Sequence, residues 1–169
     1  MIIGTSLISL DENVEDALMK VLLGKNIQRI FLPNIRLSEK SKKSIIGLFA
    51  ESRISLASLW SLMTEVAEIV KIVLEKKTFA PGIQRVKLFV NPDESQLKYL
   101  LSTNGFQKHS PTVSNYYSRV HPNDDSKLVE VRWELLYDGR LMLIEILLGS
   151  GEASVCDEFG QYANFRTRT

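Results

Sequence analysis

Chemistry in this chain would have to come from a short list of residues. Cys156 is the only cysteine, and His109 and His121 are the only histidines. A thiolate nucleophile would need one of those imidazoles beside it, and without that pairing Cys156 reads as an ordinary thiol. The same three residues are widely separated and match no metal-ligand spacing. Asp124-Asp125 and Asp11-Glu12 could supply paired carboxylates for acid–base work, but both read more simply as solvated turn and cap residues. Tyr116-Tyr117 offers a phenol that could protonate a leaving group. No G-x-x-x-x-G-K or G-x-G-x-x-G phosphate loop occurs, and Gly149-Ser150-Gly151 follows a hairpin rather than opening a helix. Lys40, Lys42 and Lys43 fit the wet face of one helix. Lys76-Lys77 fits a helix C-terminus, where cations complement the macrodipole. The expectation is no metal and no cofactor.

Composition sets the frame in which these residues sit. Of 169 residues, 44% are hydrophobic and 24% charged, as in an ordinary water-soluble domain with a core of its own. The formal net charge is +1. Basic and acidic side chains are nearly balanced over 1–80 and again over 81–169. No basic field points to nucleic acid or to an anionic membrane surface. One cysteine makes no internal disulfide and favours a reducing compartment, cytoplasm or nucleus. Met1 to Thr5 starts no secretory signal, and the longest apolar stretch, 141–148, is too short to span a bilayer.

Along the chain, strand and helix signals alternate. Residues 2–10 read as a strand. Asp11 and Asn13 offer N-cap chemistry to a helix with Val14, Ala17, Leu18, Val21 and Leu22 at helical spacing, ended by Gly24. Residues 27–32 form a second strand, broken by Pro33-Asn34. Ser38 then caps a helix striped by Ile45, Ile46, Leu48 and Phe49. Residues 54–77 fit either one amphipathic helix or a strand at 54–59 followed by a helix capped by Thr64; the repeat described below favours the second. Val86, Leu88 and Val90 alternate on a further strand, and Asp93 with Gln96 caps a helix carrying Leu97, Leu100 and Leu101, ended by Asn104-Gly105. Residues 113–120 are strand-like. Val129, Val131, Trp133, Leu135 and Tyr137 alternate with polar residues, Asp138-Gly139 signals a two-residue hairpin, and 141–148 return as an almost wholly apolar strand. Residues 149–169 form a tail of little periodicity, loosely packed or ordered on a partner.

These units repeat. Ile27-Gln28-Arg29-Ile30-Phe31-Leu32-Pro33-Asn34 returns later in the chain as Ile83-Gln84-Arg85-Val86-Lys87-Leu88-Phe89-Val90-Asn91. Ala17, Ile45, Val73 and Leu101 are evenly spaced apolar helix positions, two such steps separating the copies of that phrase. Strand–helix units then begin near 1, 27, 55 and 83 within one α/β domain, residues 1–148. Gln28, Arg29, Phe31, Gln84, Arg85, Lys87 and Phe89 are expected on an exposed face. A curved repeat and a plain two-layer α/β sandwich both fit this pattern.

Ile30-Phe31-Leu32-Pro33-Asn34-Ile35-Arg36-Leu37 resembles the strand-and-turn signature of helix-containing leucine-rich repeats. With the terminal hairpin around Asp138-Gly139, the chain is similar to the degenerate repeats of nematode F-box-associated domains. That resemblance covers roughly 1–148 and implies a partner- or substrate-binding module. No F-box precedes the repeats, and Asn91 lacks the leucine that should follow it.

A second resemblance covers residues 83–120. The strand 86–90, the capped helix, Asn104-Gly105-Phe106 and Tyr116-Tyr117 resemble the C-terminal half of GNAT-type acetyltransferases. It implies Tyr116 or Tyr117 as a general acid. The R/Q-x-x-G-x-G/A pyrophosphate loop of that family is missing, since no glycine lies between Gly47 and Gly82. The sequence therefore supports a non-catalytic protein-binding module, with Arg29, Phe31, Arg85, Lys87 and Phe89 as partner-binding residues. The alternative is an acetyltransferase relative that has lost its cofactor loop.

Overall fold

The computed structural model describes residues 7–150. Along them run β1 (Ile8–Ser9), α1 (Glu12–Gly24), β2 (Arg29–Leu32), β3 (Ile35–Arg36), α2 (Glu39–Ala50), β4 (Leu56–Trp60), α3 (Met63–Glu75), β5 (Gln84–Val90) and α4 (Glu94–Thr103). Four antiparallel strands follow: β6 (Gln107–Ser110), β7 (Val113–His121), β8 (Asp124–Leu136) and β9 (Leu141–Ser150). The fold is α/β, with repeated strand–helix units and an antiparallel C-terminal part. Its seven-stranded sheet has the order β2-β4-β5-β9-β8-β7-β6, and β1 pairs separately with β3.

The repeat is visible in the hydrogen-bond register. In the seven-stranded sheet the parallel partners are Arg29 and Leu56, then Leu56 and Arg85, nearly equal steps along the chain. The unit expected near residue 1 does not join that sheet: its strand β1 pairs with β3. Each step needs a crossover, and crossovers advancing in one direction with one handedness place their helices on one side of the sheet. The burial agrees. Ile45 and Phe49 of α2, Val66, Val70 and Val73 of α3, and Leu97 and Leu101 of α4 are buried. They share one cluster with Ile30, Ala57, Leu59, Val86, Leu88 and Val90, and the cluster continues through Val131, Trp133, Ile144 and Ile146. Each such side chain contributes about 1.5–3 kcal/mol when fully buried.

Residues 54–77 resolve into strand plus helix, with bounds shifted to β4 and α3. The cap of α3 is not Thr64: the Glu65 carboxylate accepts from the Leu62 N–H at 2.8 Å and from the Ser61 hydroxyl at 2.7 Å. Ser38 and Asp93 cap α2 and α4 as their sequence positions imply, accepting from the Ser41 and Gln96 N–H groups. Gly105, at φ +78°, takes the left-handed position after α4. Asp138 and Gly139 both have positive φ, and the Arg140 N–H bonds back to the Tyr137 carbonyl at 3.3 Å. Tyr137 too has a positive φ, and the β8–β9 ladder closes at Leu136 and Leu141, so the turn expected at Asp138-Gly139 sits within a longer loop, 137–140, rather than forming a two-residue hairpin. The strand expected over 2–10 lies partly outside the described residues; within them β1 covers Ile8–Ser9.

Three more expectations change. α1 buries Glu15, Met19 and Leu22, while Val14, Ala17 and Val21 are exposed. Its phase is set by Glu15, whose carboxylate accepts the Ser38 N–H at 2.9 Å and the Ser38 hydroxyl at 2.5 Å, tying α1 to the start of α2. Burial pushes the Glu15 pKa up, but hydrogen bonds from Ser38 and Ser41 outweigh it and hold the carboxyl below its usual value. Gln84 is buried instead of exposed, its amide donating to the Ile54 carbonyl at 3.0 Å beneath α2. Lys76 serves a neighbouring helix rather than its own. Its ammonium donates to the Phe49 and Ala50 carbonyls, both at 2.8 Å, and to the Ser52 hydroxyl at 3.1 Å. It thereby satisfies carbonyls at the end of α2 that have no intrahelical donor.

Lys76→Met removes these donations and keeps the apolar stem, so urea unfolding at pH 7 should show a loss of about 1–3 kcal/mol. Burial pulls the Lys76 pKa down to about 8 from 10.5. Between those values the unfolded chain binds more protons than the folded one, so stability from this group rises with pH. The gap between wild type and variant should therefore widen from pH 8 to pH 10.5, and a constant gap would contradict this assignment.

Candidate functional site

The sheet face away from the helices gathers the five expected partner-binding residues, Arg29, Phe31, Arg85, Lys87 and Phe89, together with Tyr116. Register places Arg29, Leu56, Arg85, Leu147, Glu130 and Ser118 in one row across the strands. A second row holds Phe31, Ser58, Lys87, Glu145, Arg132 and Tyr116. A third holds Trp60, Phe89, Leu143 and Glu134. Strand pleating makes these rows one surface, because residues two apart share a face.

Of the expected partner-binding residues, Phe31 is 67% exposed at the β2 edge, and Arg29 beside it is exposed. Arg85, Lys87 and Phe89 are half-buried. Strands lie about 4.8 Å apart and rise about 3.3 Å per residue, which puts Phe31 and Phe89 roughly 12 Å apart on the face. Phe89 lies between Trp60 and Leu143, so an aromatic patch extends inward from the edge. Lys87 meets Glu145 at 3.4 Å, and Glu145 meets Arg132 at 3.4 Å, a three-charge bridge joining the parallel and antiparallel halves.

The two tyrosines part company. Tyr117 is buried on the helix side and stacks on Trp133, with ring centroids 5.7 Å apart. Trp133 in turn donates its indole N–H to Glu94 of α4 at 2.7 Å. Tyr116 faces the other way, donates its hydroxyl to the Glu130 carboxylate, and stacks on His109 at 4.1 Å. The His109 Nδ1 lies 3.4 Å from the Ser118 hydroxyl. Glu130 is 1% exposed, and its second carboxylate oxygen has no hydrogen-bond partner among the described residues. Burial pushes the Glu130 pKa up, while the Tyr116 hydrogen bond and the charges of His109 and Arg132 pull it down; burial wins.

Other candidates take structural roles. His121 is buried and its ring accepts the Asn123 N–H on Nδ1 at 3.1 Å, so Nε2–H donates to the Val73 carbonyl at 2.8 Å. Both ring nitrogens are occupied in fastening the β7–β8 turn to the end of α3. Cys156 lies outside the described residues. Asp124 accepts from the Ser126 N–H and hydroxyl in a turn, bonds that hold its pKa below the usual value. Lys42 pairs with Glu65 at 2.6 Å in a shallow cleft between α2 and α3 rather than lying on a wet face. Among the described residues, no set of three His, Cys, Asp or Glu side chains gathers for a metal, and no helix is long and apolar enough to cross a membrane.

Sequence reasoning missed Glu130, Arg132, Glu145, Trp60 and Leu147. A signal existed for Glu130, Arg132 and Glu145: the first two alternate with Val129, Val131 and Trp133, and Glu145 is the lone charge in an apolar strand. Such parity marks a polar face opposite the core.

Glu130→Gln tests the electrostatics of this surface. Burial makes the native carboxyl hold its proton to higher pH than the unfolded one does, so wild-type stability from this group falls as pH rises. The variant should therefore gain on wild type between pH 4 and pH 7 in denaturant unfolding. A variant whose difference from wild type is the same at both pH values would contradict a desolvated Glu130.

No family model, curated protein or solved structure matches this chain.

Proposed function

We propose that this protein is a non-catalytic interaction module that binds another protein through the face of its sheet away from the helices. The observation that carries the reading is Phe31, a large aromatic two-thirds exposed on a strand beside Arg29. Behind it lie Trp60 and Phe89, with Lys87 in the row of Phe31 and Arg85 in the row of Arg29. Aromatic and arginine side chains dominate binding energy at protein interfaces. The nearly even register steps from β2 to β4 to β5 support a degenerate leucine-rich-repeat architecture, of the kind that resembles F-box-associated recognition domains. In this reading Phe31 and Phe89 anchor the partner, and Arg29, Arg85 and Lys87 favour an acidic segment.

The alternative is a relative of GNAT acetyltransferases. Tyr116, with its hydroxyl on Glu130 and its ring on His109, is the residue that favours it. Tyr117, packed on Trp133, is better suited to the core than to proton transfer.

Two measurements separate the readings. Phe31→Ala should leave the melting temperature within about a degree of wild type, as expected for a surface substitution, and should abolish capture of the protein bound by wild type. Retained capture would remove Phe31 from the interface, and a large stability loss would make it a core residue. Millimolar acetyl-CoA should leave the melting temperature unchanged, whereas a clear rise would sink the non-catalytic reading and point to Tyr116.

A further inference from the structure

The stripe that periodicity marks on α1 is not the face that α1 buries. Glu15, Met19 and Leu22 point into the fold, whereas Val14 is 54% exposed, Val21 is 50% exposed, and Ala17 between them is exposed as well. Leu18, half-buried, joins this outer stripe to the core. Val14, Ala17 and Val21 are spaced by three and then four residues, the spacing of a coiled-coil seam. Single exposed apolar side chains are ordinary, but a contiguous row of them marks a contact surface. The charges of α1 are sorted along its length. Asp11, Glu12 and Asp16 stand toward the N-terminus, Lys20 and Lys25 toward the C-terminus, and all five are exposed. Among the described residues none of the five takes part in an ion pair. The macrodipole favours that order of charge, but it gives no reason for the apolar stripe beside it.

We propose that this stripe is the interface of a weak, two-fold symmetric dimer, in which α1 packs antiparallel against α1 of a second copy. In a two-fold contact every pairing is reciprocal. Laying Val14 against Val21 of the partner subunit brings Ala17 against Leu18 of the partner subunit and closes the row. The same register sets Asp16 opposite Lys20 of the partner subunit and Lys25 opposite Asp11 of the partner subunit, and symmetry makes each pair twice. A parallel arrangement would instead set Asp16 on Asp16 and Lys20 on Lys20, and like charges in contact are costly. Antiparallel helices also place opposite ends of their macrodipoles side by side. A second copy is thus the partner whose order of charge complements this helix. α1 has 13 residues, so it is about 20 Å long, and one helix pair of that length falls below the about 1,200 Å² that a stable interface buries. The dimer therefore belongs to the transient class. It is separate from the sheet face proposed above, to which α1 contributes no residue.

Sedimentation equilibrium of the full chain, in reducing buffer so that Cys156 cannot link two copies, tests this. Between about 10 μM and about 1 mM protein the expected result is a reversible monomer–dimer equilibrium. Val21→Asp puts a charge in the stripe and should leave the chain monomeric over the whole range. Asp16→Lys and Lys20→Asp, each alone, set like charges opposite one another and should weaken self-association by about tenfold. Mixed in equal amounts, these two variants should recover a dimer of wild-type strength, because each cation of one chain then meets an anion of the other. All three positions are exposed, so the variants should melt close to wild type. Should Val21→Asp unfold, the mixed pair still decides the matter. A wild-type chain that stays monomeric throughout overturns the proposal and leaves the stripe to a different protein. A dimer that survives Val21→Asp lies elsewhere on the molecule and overturns it too, as do mixed charge variants that stay apart.

Discussion

The whole sheet depends on one antiparallel pairing, that of β5 with β9. β5 ends the run of parallel strands, and β9 joins it through seven residue pairs while holding β8 through ten on its other side. Without β9 the parallel half would end at an open strand edge, and the antiparallel half would lose its place on the core. The composition of β9 follows from that position. A strand paired on both sides must be apolar on the helix side, as Met142, Ile144, Ile146 and Leu148 are. Its single carboxylate, Glu145, sits where Lys87 and Arg132 flank it from the two neighbouring strands. One side chain thus bridges the two kinds of sheet electrostatically, as the strand does through its backbone.

Much of the architecture was legible because local signals and global order agree. Capping residues Ser38 and Asp93, the left-handed Gly105, and the Asp138-Gly139 turn each specify backbone geometry over a short stretch, and short-range chemistry of that kind survives folding unchanged. The failures share a different cause. Val14, Ala17 and Val21 have the spacing of a buried stripe, yet α1 turns Glu15 inward because Ser38, far along the chain, supplies its hydrogen bonds. Lys76 looks like a cation serving its own helix, and instead reaches the end of α2. Gln84 matches an exposed glutamine of the earlier copy, and is drawn under α2 by a carbonyl in need of a donor. Long-range hydrogen bonds override periodicity in each case.

The candidate surface was half legible. Alternation predicted that Arg29, Phe31, Arg85, Lys87 and Phe89 would share a face, and parallel register brings them together. The antiparallel contribution was not legible, because nothing local says that β9 inserts beside β5 rather than at the far edge. Only that insertion brings Glu145, Arg132 and Glu130 alongside the basic strands. Tyr116 and Tyr117, adjacent in sequence, are separated by strand parity alone: one belongs to the core with Trp133, the other to the surface with Glu130.

The late position of β9 has a consequence for how this protein is made. The strand that occupies the middle of the sheet is the last of the described strands to leave the ribosome, after every strand it must join. Until residues 141–150 emerge, β5 and β8 have no partner between them, and their apolar faces wait for a closure across all the intervening chain. Long-range strand pairing of this kind is slow and exposes sticky intermediates. The parallel units can form stepwise during synthesis, but the sheet can be completed only once β9 has been translated. A nascent chain halted before Leu141 would hold two half-sheets with no strand to unite them, a natural substrate for chaperones and proteases.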